Sequence, residues 1–151
     1  MKIIIGFLVV IICTVLGNVF CEKYRIKKQF FVDFDLFNAK LKKEIMFSHD
    51  TLWGVSTSIN DGEFKKTLFT FLEKGQVIKI KCFDNNEQDF LESYLKNLGN
   101  CDGKTQLNYI NSIEGRIKEY LSISISNELK FKSLYLKLGL LTGLIIFILF
   151  I

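Results

Sequence analysis

Leu138-Gly139-Leu140-Leu141-Thr142-Gly143-Leu144-Ile145-Ile146-Phe147-Ile148-Leu149-Phe150-Ile151 carries no charge. A matching run lies at the other end, Ile3 to Phe20, interrupted only by Gly6, Thr14, Gly17 and Asn18. Crossing about 30 Å of hydrocarbon takes roughly 20 apolar residues in a helix, so the first run spans and the second spans with help from Leu134 to Leu136. The chain therefore divides into an N-terminal transmembrane helix (1–21), a central domain (22–133) and a C-terminal transmembrane helix (134–151). The expected fold is all-α, a membrane-anchored antiparallel helical bundle with a transmembrane helix at each end.

Basic residues near a span resist transfer outward. Lys23, Arg25, Lys27 and Lys28 follow the first run, and Lys130, Lys132 and Lys137 precede the second. Both flanks place the central domain in the cytoplasm. The competing reading, a cleaved leader and a secreted domain, needs small residues before the cut, whereas this run ends Asn18-Val19-Phe20-Cys21. The Phe before Cys21 also argues against a lipoprotein.

Net charge is +4 over 151 residues. Seven of the basic residues stand in the two juxtamembrane clusters, where anionic headgroups account for them. A nucleic-acid partner is not implied. The four cysteines, Cys13, Cys21, Cys82 and Cys101, form no CxxC pair, and His49 is the single histidine. Neither a zinc site nor a redox motif is supported. The absence of proline leaves long helices unopposed.

Ile26, Phe30, Phe34, Phe37, Leu41 and Ile45 recur at helical spacing and predict a helix from about Arg25 to Phe47, continuous with the first span. Ser48 or Asp50 can cap a short second helix carrying Leu52, Trp53, Val55 and Ile59, with Trp53 in the core. After the turn Asn60-Asp61-Gly62, a helix over Glu63 to Lys74 stops at Gly75. Val77 to Phe83 alternates like a strand, but a strand here has no partner, which favours a short helix. Phe90, Leu91, Tyr94, Leu95 and Leu98 mark a helix ending at Gly99. Leu107, Ile110, Ile113, Ile117, Leu121, Ile125 and Leu129 mark a last helix from Asp102, which without a break reaches Ile151.

The candidate site is the corner Leu95 to Gln106. Gly99 can take the left-handed conformation that closes one helix, and Asp102 can accept the free amides that open the next. Gln106, one turn in, can reach back across the corner. Glu44 is a candidate partner contact, either a solvated acid or a brace for the corner. No catalytic, cofactor-binding or metal-ligating residues are assigned: His49 beside Asp50 has no nucleophile motif with it. P-loop, GxGxxG and HExxH motifs are absent from the sequence.

Leu98-Gly99 with Asp102 and Gln106 resembles the LGxxDxxxQ segment of stage III sporulation protein AB. Leu41, Glu44, Ile45, Phe47 and Leu52 are similar to that family's LxxEIxFxxxxL segment, and the order of span, helical domain and span agrees. The resemblance implies a cytoplasmic helical domain like that of the F-type platform proteins of type II secretion. It implies a non-enzymatic platform or coupling subunit of the stage III sporulation complex, in the mother-cell membrane around the forespore. Expected partners are other complex subunits, chiefly a cytoplasmic secretion-type ATPase, and the lipid bilayer; no cofactor or small-molecule substrate is expected. The alternatives are a small membrane-bound enzyme on a lipid-proximal substrate, using Glu44, His49 or Asp102, and a secreted membrane-anchored binding domain.

Overall fold

The computed structural model describes residues 2–47 and 52–150. Ser48, His49 and Asp50, and with them the expected cap and the loop histidine, lie outside the described residues. Five helices follow one another: α1 (Lys2–Phe47), α2 (Leu52–Thr57), α3 (Glu63–Lys74), α4 (Asn85–Asn97) and α5 (Gly103–Phe150). No strand occurs among the described residues, so the chain is all-α. Two compact units make it up, a hairpin of residues 1–25 with 125–151 and a head of residues 26–124. Helices α1 and α5 contribute to both.

In the hairpin the two helices run antiparallel at close quarters. A Cβ at Gly17 would stand 2.8 Å from the Tyr135 carbonyl oxygen, and one at Gly143 would stand 2.9 Å from Val10 Cα. Only glycine lets the backbones approach so far. Cys21 extends the seam, its Sγ donating to Phe131 O on α5 at 3.8 Å.

The head is built around α1. Phe30, Phe34, Phe37 and Leu41 are buried as their spacing requires, but Phe31, Asp33 and Asn38 are buried as well, while Ile26 at the edge is exposed. The buried arc of α1 is thus wider than one stripe, and over residues 27–45 its exposed face narrows to Gln29, Leu36, Ala39, Lys40 and Lys43. Phe34 stacks on Phe64 at 5.2 Å and meets Tyr94 edge-on at 4.6 Å. Phe31 stacks on Phe83 at 5.1 Å and on Tyr120 at 5.5 Å. These aromatic pairs tie α3, α4, α5 and the segment before α4 to one strut.

Helix α3 has the bounds its pattern predicts and ends at Gly75, in the left-handed conformation at φ 65°. The segment 77–83 is a correction, being neither helix nor strand. Gln88, on the following helix, donates from Nε2 to Ile78 O at 3.1 Å and accepts from Ile80 N at 3.1 Å. One side-chain amide thus stands in for the missing neighbouring strand, and Ile80 reaches the core. Trp53 is a second correction: it is 45% exposed and lies edge-on to Phe69 at 5.2 Å rather than in the core.

The stripe on α5 also departs from its expected register. Ile110 and Ile117 are buried, but Ile125 and Leu129 are exposed and Ser124 is buried instead. The buried positions 110, 117 and 124 follow a step of seven, the period of helices wound on a neighbour.

A carboxylate sits inside this core. Asp33 is buried, and Gln29 Nε2 donates to its Oδ1 at 3.1 Å. Burial pushes its carboxyl above the usual 3.8, with the Gln29 bond pulling it back. The folded chain holds that proton more tightly than the unfolded one. The penalty is therefore absent below pH 3.8 and grows as pH rises through the raised value. Asp33→Asn is expected to raise the melting temperature at pH 7 and to leave it nearly unchanged at pH 3. A lower melting temperature at pH 7 would show that the ionised carboxylate holds the head together.

Candidate functional site

The corner between α4 and α5 gathers four of the candidate residues. Helix α4 closes at Leu98, whose N–H donates to Leu95 O at 3.1 Å. Gly99 follows in the left-handed region at φ 78°, and its N–H donates to Gln106 Oε1 at 3.2 Å. Asp102 opens α5: its carbonyl accepts from Gln106 N at 2.9 Å and its Oδ2 from Thr105 N at 3.3 Å. Gln106 is buried and so bridges the two helices from inside the turn. The side-chain amide of Asn100 caps the end of α4 by donating to Lys96 O.

The corner rests on the far end of the α1 strut and the start of α2. A Cβ at Gly103 would meet Ile45 Cγ2 at 3.6 Å, and one at Gly99 would come within 2.9 Å of Leu52 Cδ1. Glu44 precedes Ile45, and its Oε2 is buried without a hydrogen-bond partner. The same holds for Gln106 Nε2. Two buried polar atoms of complementary sense, an acceptor on α1 and a donor on α5, thus remain unpaired in this half of the head, and such groups are costly.

The bond from Thr105 holds the Asp102 carboxyl below the usual 3.8. The cap is therefore present at neutral pH and is lost as pH falls through the lowered value. Asp102→Ala is expected to lower the melting temperature modestly at pH 7. Gly99→Val is expected to lower it more, because a β-branched residue resists positive φ and its Cβ must displace Leu52. Thermal melts of both variants check this ordering, and equal melting temperatures would contradict the geometry. Among the described residues, no group of three or more His, Cys, Asp or Glu could hold a metal ion.

Sequence reasoning missed the ionic contact that orients α4. Lys27 Nζ lies 2.6 Å from Glu87 Oε2, with the side chains 15% and 3% exposed. Glu87 Oε2 also accepts from Asp84 N at 3.0 Å, while Asp84 Oδ1 accepts from Glu87 N at 2.8 Å. This capping box was legible as Asp84-x-x-Glu87; the cation that joins it was not. Lys27 therefore leaves the set of lysines assigned to lipid headgroups and belongs to the head.

The fold and its corner define an all-α protein in which α5 includes a stretch, within Gly103–Ile148, long and apolar enough to cross a membrane. The family described as stage III sporulation protein AB matches residues 73–151, which hold α4, the corner and α5, and the chain belongs to that family. Its role is a sporulation-related one. The match leaves Glu44 and Leu52 outside it. No curated protein and no solved structure matches the chain.

Proposed function

We propose that this chain is a non-enzymatic platform or coupling subunit of the stage III sporulation complex, in the mother-cell membrane around the forespore. Two spans hold the head at the cytoplasmic face, where it docks a secretion-type ATPase and other members of the complex. What carries the reading is the joining of a packed helical head to an apolar hairpin through shared helices, in a chain of this family. Removing residues 138–151 is expected to leave the head folded and able to bind its partner, yet to abolish sporulation. Full sporulation without that segment would overturn the anchoring role.

Orientation has its own test. With the chain produced in the plasma membrane of growing cells, an impermeant maleimide should label neither Cys82 nor Cys101 from outside. In lysates Cys101, which is exposed, should react first. Cys82 should react slowly, because partial burial pushes its thiol up and leaves less thiolate. Labelling of Cys101 in intact cells would reverse the topology.

A further inference from the structure

Where the apolar runs of the hairpin end, five exposed cations collar it: Lys23 and Arg25 on α1, and Lys130, Lys132 and Lys137 on α5. Between residues 20–25 and 125–137 only Glu22 and Glu128 oppose them. The Arg25–Glu22 pair, at 3.8 Å with both side chains more than half exposed, neutralises little. Four rings stand at the same level: Tyr24 stacks on Phe131 at 4.4 Å, Phe20 on Tyr135 at 6.1 Å, and Phe131 meets Tyr135 at 6.2 Å. Aromatic side chains concentrate at the boundary between headgroups and hydrocarbon, so these rings mark its depth.

Just inside that boundary one face of α5 forms a shallow, open groove lined by Leu136, Lys137, Leu140, Leu141 and Leu144. Lys137 is its one charged residue and stands at the headgroup end. Helical side chains lean toward the N-terminus, so the Lys137 stem rises out of the groove toward Lys130, seven residues earlier on the same face. A lysine at this depth snorkels its ammonium up to the headgroup level. The groove asks for hydrocarbon and its upper end for phosphate, which one molecule supplies together. The surplus of cations in the collar disfavours a headgroup with its own ammonium.

We propose that α5 binds an anionic phospholipid as a stoichiometric ligand, with the phosphate between Lys137 and Lys130 and an acyl chain along Leu140, Leu141 and Leu144. The proposal rests on reading the apolar part of α5 as a membrane span. The test is native mass spectrometry of the full chain, released from detergent after titration with dioleoyl phosphatidylglycerol or dioleoyl phosphatidylcholine. Wild type is expected to retain phosphatidylglycerol selectively, with roughly fivefold in affinity lost for each lysine removed in Lys137→Gln and Lys130→Gln/Lys137→Gln. Lys137→Arg should keep the preference, which separates loss of charge from failed insertion, and Lys74→Gln in the head should change nothing. Equal retention of the two lipids by wild type, or a preference that survives the double variant, overturns the proposal. So does glycerol phosphate binding as tightly as the lipid, or a dimer whose formation excludes lipid from the groove. Extraction of the chain from membranes by carbonate would instead remove the spanning reading itself.

Discussion

Lys27→Met is expected to cost the head about 3–5 kcal/mol, because it leaves Glu87 as a buried carboxylate with no cation. Glu87 would keep one bond, from Asp84 N, but that amide cannot neutralise it. The folded chain must then hold an unpaired charge at 3% exposure. Chemical denaturation of wild type and variant measures the loss. The double variant Lys27→Met/Glu87→Gln should recover most of it: glutamine still accepts from Asp84 N, and replacing a buried pair by neutral groups is often close to free. A single variant costing under about 1 kcal/mol would contradict a desolvated pair.

Phe34→Ala is expected to cost about 3–5 kcal/mol by opening a cavity at the centre of the aromatic cluster. Phe34 is fully buried and touches rings on α3 and α4, so collapse of one neighbour cannot fill the space. Phe34→Ala and Phe64→Ala share that cavity, and their combined cost should fall short of the sum. Trp53→Ala is the contrast. Being 45% exposed with one ring partner, Trp53 should cost about 1 kcal/mol. A denaturation series in which Trp53 outweighs Phe34 would place the core elsewhere.

What was legible in the sequence is what local chemistry decides. Helix α3 lies between a turn and Gly75, and the corner follows from Gly99 and Asp102 acting on their immediate neighbours. Gln106 was readable because its partner, Gly99, is only seven residues away. The segment 77–83 was not, since its backbone is held by an amide on the next helix and no period along the segment records that. Lys27 looked like one more juxtamembrane cation until Glu87, sixty residues on, claimed it. The stripe on α5 slipped because its buried positions step by seven, 110, 117 and 124, rather than by the ideal helical period, which buries Ser124 and exposes Ile125. Pairings between distant parts of a chain leave such marks only in the structure.

The docking role is the centre of the account, and recovery of the chain in its native surroundings tests it most directly. The full chain, tagged and purified from the membranes of sporulating cells, should bring with it the cognate secretion-type ATPase and other members of the stage III complex. Glu44→Ala, at a half-buried acid whose Oε2 has no hydrogen-bond partner, should weaken that recovery. A chain that comes out alone under conditions that keep the rest of the complex together, or that turns over a substrate once purified, would contradict a non-enzymatic coupling subunit.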